Sequence, residues 1–121
     1  LSLINADMTD FQVVCGSDDQ AADYLFWGVR AWIGGAANYL PAQHVQLIEA
    51  AKAEDFKKVR EIMTAILPVI KNQEAEDYNQ KAKLGCAHRG MPVGQVRAPL
   101  LPISTQNEAE FISLLAQALK A

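Results

Sequence analysis

Residues Phe11 to Leu40, FQVVCGSDDQAADYLFWGVRAWIGGAANYL, decide the fold. An apolar run (Phe11, Val13, Val14, Cys15) meets Gly16, Ser17 and two acids; a helical pattern over 18–27 follows, then Gly28 and a second apolar run through Ile33 into Gly34 and Gly35. This reads as strand, loop, helix, strand. Gly16 offers a turn without a Cβ, Asp18 or Asp19 can cap helix N–H groups, and Gly28 can close the helix in the left-handed conformation. A helix between two strands returns them parallel, with a right-handed crossover. Such strands are buried on both faces and need neighbours, and ligands in such folds sit at the strands' carboxyl ends. Here those ends are Gly16-Ser17-Asp18-Asp19 and Ile33-Gly34-Gly35-Ala36.

The rest of the chain bounds this unit. Its 121 residues, half of them hydrophobic, predict one packed core. A net charge of −3 counts against nucleic acid or an anionic membrane as partner. No apolar run approaches the roughly 18 to 20 residues that cross a bilayer. Leu1 to Ala6 shows neither a basic nor a long apolar segment, so no secretory signal is visible and a cytoplasmic protein is expected. Cys15 and Cys86 have no metal-type spacing and read as free thiols, Cys15 as a small buried hydrophobe. His44 and His88 lack spaced partners and read as ordinary helix-surface residues; no metal or cofactor is expected.

Along the chain, Leu1 to Met8 reads as a helix tail or a connecting turn. Helix 18–27 is expected to bury Ala21, Ala22, Leu25 and Phe26, while Trp27 and Trp32 read as packing residues flanking Gly28. Pro41 suits the first turn of a helix ending near Ala53, with Val45, Leu47, Ile48 and Ala51 on its apolar face. Asp55 caps the next helix, whose apolar positions Phe56, Val59, Ile62, Met63, Ile66, Leu67 and Ile70 keep amphipathic spacing. Pro68 should kink it. Asn72 to Asp77 is polar, a less regular helix runs from about Asp77 to His88, and 91–104 is an extended connection. Thr105 with Glu108 makes a capping box for a last helix burying Phe111, Leu114, Leu115, Ala118 and Leu119. Two parallel strands make no independent sheet in water, which points to a missing partner segment.

FQVVCGSDD with its helix, AWIGGAAN-YLP, EAAKAEDFKKVREIMTAILPVI and VRAPLLPIS resemble, in order and spacing, the C-terminal part of the dihydrodipicolinate synthase/N-acetylneuraminate lyase family. The resemblance covers nearly the whole chain. It implies an α/β fold, the C-terminal part of a (β/α)8 TIM barrel: strands seven and eight over 1–40, then the eighth barrel helix and a C-terminal helical region over 41–121. It implies class I pyruvate-dependent lyases or synthases, usually homotetramers. In these a lysine on the sixth strand forms a Schiff base with pyruvate or another 2-oxo acid, and the protonated imine serves as an electron sink. That lysine, the proton-shuttling tyrosine of the fourth strand and the carboxylate-binding turn after the second have no counterpart here. Lys52, Lys57, Lys58, Lys71, Lys81, Lys83 and Lys120 all fall on helical or polar segments and read as solvated surface charges. The chain by itself is therefore expected to be inactive, its partner being the N-terminal half of the barrel.

What the resemblance leaves in this chain is the substrate-facing rim. It places Gly16, Ser17, Asp18 and Asp19 beside the non-pyruvate substrate, and a backbone carbonyl at Ile33 near the reacting centre, followed by Gly34 and Gly35. The residues taken by themselves favour helix capping for Asp18 and Asp19, and divide Gly34 and Gly35 between close ligand approach and tight packing. Many members have Gly-Asp-Asp where this chain has Gly16-Ser17-Asp18, and Ser-Val where it has Gly34-Gly35, which leaves the particular substrate open. Arg97 reads as structural. The competing reading is a helical interaction module without catalysis, built on the antiparallel pair 41–53 and 55–70. A nucleotide site at Ile33-Gly34-Gly35 lacks both GxGxxG and a Walker lysine.

Overall fold

The computed structural model describes residues 1–120. Five α-helices dominate them: α1 (Ala21–Phe26), α2 (Pro41–Lys52), α3 (Phe56–Ala75), α4 (Tyr78–His88) and α5 (Thr105–Ala118). Single 3-10 turns at Asp18–Gln20 and Ala36–Asn38 precede α1 and α2. The central element is α3, which packs along α2 on one side and α5 on the other, with α4 closing against α3 and α5. Val59, Ile62, Met63, Ile66, Val69 and Ile70 of α3 are buried, the stripe that its 3-and-4 spacing dictates. Asp55 caps α3 as expected, its carboxylate accepting from the Lys58 N–H at 3.0 Å, and Pro41 takes the first turn of α2.

The two expected strands are not formed among the described residues. What remains is one isolated parallel bridge, Cys15 to Trp32. The Cys15 N–H donates to the Ala31 carbonyl and the Ile33 N–H to the Cys15 carbonyl, both at 2.9 Å. The parallel direction is kept, but a ladder needs further strands on either side, and two short ribbons in water have none. Cys15 reaches the core, but other apolar side chains along the ribbons stay outside it: Phe11 is 65% exposed and Ile33 77%.

Other expectations shift for local reasons. Phe26 is exposed, because α1 begins only at Ala21 and turns Ala21 and Leu25 inward instead. The buried face of α2 is His44, Leu47 and Ala50, so Val45 lies in solvent and His44 is a core residue, not a surface one. Helix α3 runs through Pro68 and on to Ala75, because Gln73 in the polar stretch is buried: its amide accepts from the Tyr39 hydroxyl and donates to the Tyr78 carbonyl. Ser104, not Thr105, caps α5, its hydroxyl accepting from the Asn107 N–H at 3.1 Å.

Lys81 is the largest departure among the charged residues. It is 1% exposed, not a surface charge. Its ammonium donates to the Asn72 carbonyl at 2.6 Å, within the last turn of α3, where carbonyls lack helical partners and the dipole favours a cation. Lys81 therefore finishes α3 in place of a glycine cap. In α4 Gly85 is needed for space: a Cβ there would overlap the Tyr39 ring, whose other side meets Phe111 edge-on at 5.5 Å.

Gly28 ends α1 as expected. Its φ is +91°, its N–H reaches the Leu25 carbonyl at 3.1 Å and the Val29 N–H reaches Tyr24 at 3.0 Å, the paired bonds of a left-handed helix stop. Gly16, in contrast, has no positive φ, and a Cβ there would meet no atom within 4 Å. Gly28→Ala should therefore cost about 1–2 kcal/mol of unfolding free energy in denaturant titration, whereas Gly16→Ala should stay within about 0.5 kcal/mol. Equal losses at the two positions would contradict this account.

Candidate functional site

The Cys15–Trp32 bridge brings the two glycine-bearing loops side by side, so Gly16, Ser17 and Asp18 face Ile33 and Gly34 across one end of the pair. Asp18 joins them. It is 3% exposed; one carboxylate oxygen accepts from Trp32 Nε1 at 2.8 Å and the other from the Ala36 N–H at 3.0 Å. The acid thus satisfies the turn before α2 rather than capping its own helix. Such a charge-assisted bond to a backbone N–H is stronger than a neutral one, and removing the acceptor would leave a buried donor unpaired at a cost of about 1–3 kcal/mol. Ser17 Oγ donates to Asp19 at 2.9 Å, holding the loop's exposed side.

Gly34 and Gly35 owe their lack of a side chain to these neighbours. A Cβ on Gly34 would strike the Asp18 carboxylate and the Trp32 indole, and one on Gly35 would strike the Tyr78 hydroxyl. Both spaces are filled by the protein's own side chains. Gly16 is the glycine of the loop pair that stands open.

Beneath the loops, Trp32 stacks on His44 with ring centroids 4.0 Å apart and planes 17° from parallel. His44 Nδ1 pairs with the Leu40 carbonyl at 2.9 Å, while its Nε2 is buried without a partner. Burial holds the imidazole below its ordinary pKa, against the opposing pull of the Leu40 carbonyl and Asp18. Cys15 is fully buried and its thiol bonds the Ser17 carbonyl at 3.2 Å; burial raises its pKa, with Asp18 and Asp19 adding to the rise, so it is a packing residue and a poor nucleophile.

The C-terminal helices bring further groups to the same end, which the sequence reading did not single out. Burial raises the Glu74 carboxyl, as do Asp19 and Asp18, while the backbone amides of Asp19 and Asp18 pull the other way. Tyr78 is raised by burial and then by Asp18 and Glu74, against the backbone amide of Gly35. Neither residue belongs to a motif, and their proximity follows from α3 running past Ile70 to reach the loops. Among the described residues no three His, Cys, Asp or Glu side chains converge as metal ligands, and no helix is long and apolar enough to cross a membrane.

The sequence profile described as the dihydrodipicolinate synthetase family matches residues 2–118. A 4-hydroxy-tetrahydrodipicolinate synthase from an Exiguobacterium species is 36% identical over 107 residues, 88% of this chain and 36% of that protein. The crystal structure of a dihydrodipicolinate synthase from Aquifex aeolicus superposes with a TM-score of 0.86 at 27% identity, covering 95% of this chain and 39% of the other. That of an N-acetylneuraminate lyase from Proteus mirabilis gives 0.75 at 23% identity over 85% of this chain and 35% of that one, a likeness of fold. The chain therefore spans a little over a third of the relatives it matches.

The site carries one pH prediction. His44 has a folded pKa below its unfolded value, so as pH falls through about 6.5 the unfolded chain takes up a proton that the native state refuses. Native stability should fall progressively from there toward the folded pKa. His44→Phe, which keeps a ring against Trp32, should flatten that part of the stability curve in denaturant titrations between pH 7 and 5; parallel curves for the two proteins would show that His44 does not titrate this way.

Proposed function

This chain belongs to the dihydrodipicolinate synthetase family, and from that premise we propose that it is the C-terminal part of a Schiff-base-forming lyase or synthase acting on pyruvate or a related 2-oxo acid. In this reading the segments around Cys15 and Trp32 are the seventh and eighth strands of a β/α barrel, residues 41–121 are its last helix and helical extension, and an N-terminal portion supplies the remaining strands. The observation that carries it is the lone parallel bridge in a chain matching little more than a third of its relatives. Its flanking residues have open backbone partners and exposed apolar side chains, Phe11 and Ile33 among them, as ribbons cut from a larger sheet would.

The rim follows from the same geometry. Gly16 has an ordinary backbone and open space above it, so the fold itself gives no reason for glycine there; a ligand approaching the backbone does. Ser17 offers a hydroxyl, the Ile33 segment a backbone edge, and Asp18 fixes the spacing between them. Gly34 serves by making room for that Asp18 contact. The nucleophile is a lysine outside this chain: its amine attacks the 2-oxo carbon, water leaves, and the resulting iminium withdraws electrons from the neighbouring carbon. The assembled enzyme is a homo-oligomer, a tetramer as the resemblance implies, working in the cytoplasm with the imine as its only electron sink.

Borohydride reduction of the complete protein in the presence of pyruvate tests this. Hydride should convert the imine to a stable secondary amine, adding mass at one lysine lying N-terminal to Leu1, with residues 1–121 unmodified. Absence of any adduct, or an adduct on Lys81 or another lysine of this chain, would sink the proposal.

A further inference from the structure

Gly35 poses a problem that its own backbone does not explain. Its φ of −67° and ψ of −36° are ordinary right-handed values open to any residue. Yet a Cβ there would land on the hydroxyl and ring of Tyr78, forty-three positions on in the chain and carried by a different element. Glycine at 35 is therefore the mark of a close approach by Tyr78, and that approach is held from several sides. Gln73 donates to the Tyr78 carbonyl at 3.2 Å while accepting from Tyr39, the residue that ends the same loop. Asp77, in the left-handed conformation at φ 55°, turns the chain sharply from α3 into α4 and is fastened to α5 by the Asn107 amide at 3.0 Å. Tyr78 is not part of the core: 42% of it remains exposed, on the side of the loops where Asp18 and Glu74 lie. A partly solvent-facing tyrosine whose backbone is anchored this firmly, and whose hydroxyl end lies against a glycine in the facing backbone, is arranged to hold that backbone in place.

We propose that Tyr78 is a positioning residue of the catalytic site: the C-terminal helices press its hydroxyl against Gly35 and thereby fix the Ile33–Gly35 backbone beside the bound 2-oxo acid. This rests on the lyase reading above and adds to it a role for the helical extension, which otherwise would only support the barrel from outside. Tyr78 acts through Gly35 and need not touch substrate. The cost of losing it should appear in the step after imine formation, when the C3 proton leaves to give the enamine, because that step requires the imine to be held in one orientation.

The test uses the complete protein and pyruvate alone in deuterated water. The lysine imine loses a C3 proton to give the enamine, a deuteron returns to C3, and hydrolysis releases deuterated pyruvate, followed by the loss of the methyl proton signal. Borohydride trapping counts the competent sites, so the exchange rate is expressed per trapped site. Tyr78→Phe should trap fully, with an unchanged KM for pyruvate, and exchange about tenfold more slowly per site. Gly35→Ala, which pushes the ring away, should be slowed similarly, while in a Tyr78→Ala background the same Gly35→Ala change should add nothing further, the coupling expected of two groups in contact. Wild-type exchange per trapped site in Tyr78→Phe, or equal harm from Gly35→Ala in both backgrounds, would overturn the inference and leave the lyase reading standing. No trapping in the wild type would instead remove that reading itself.

Discussion

The buried carboxylate of Asp18 is the tie on which the loop pair depends. It receives one bond from an indole at 2.8 Å and one from a backbone amide at 3.0 Å, and both donors belong to the second segment while the acid belongs to the first. A carboxylate out of water is tolerated only with such donors. The consequence is a fixed distance between Gly16-Ser17 and Ile33-Gly34. The bridge between Cys15 and Trp32 sets direction and register, but a single bridge can pivot. Asp18 removes that freedom. Through the indole it also reaches His44 and so α2, and through Ala36 it starts the turn that leads to Tyr39. One side chain thus connects the loops to the helices below them.

The helical layer answers from the other side. Tyr39, fully buried, is kept protonated by burial and by the nearby acid groups, so its hydroxyl retains a proton to donate, and the Gln73 carbonyl oxygen accepts it. The remaining amide protons of Gln73 leave it free to hold the Tyr78 carbonyl. Three residues of this layer form one short chain, Tyr39 to Gln73 to the Tyr78 carbonyl, and the Tyr78 side chain in turn lies against Gly35. The loops are therefore held from beneath by Trp32 on His44 and from the side by α3 and α4.

What the sequence made legible divides along a physical line. Elements fixed by local chemistry were readable: the apolar spacing of α3, the Asp55 cap, Pro41 opening α2, the left-handed stop at Gly28. So was the parallel direction of the two ribbons, through the helix between them. A strand ladder was not, because its existence depends on hydrogen-bond partners from other segments. The two buried polar residues most misread, His44 and Lys81, share a cause. Each lies on the inner stripe of its helix, and each is accepted there by a partner outside its own helix, Trp32 for the imidazole and the end of α3 for the ammonium. Side-chain type suggests exposure, whereas tertiary partners decide it. At the site, glycines 34 and 35 were visible as unusual, yet which atoms filled the space above them was not, since Tyr78 carries no motif.

Gly85 lies in the middle of α4, where glycine weakens a helix by about 1 kcal/mol relative to alanine, and it is there because the Tyr39 ring occupies the place of its Cβ. A helix built this way draws much of its order from a residue forty-six positions earlier. During synthesis α4 would consequently set only after Tyr39 is in place, and on warming it would loosen before α3, opening residues 78–88 to proteolytic nicking while α3 is still intact.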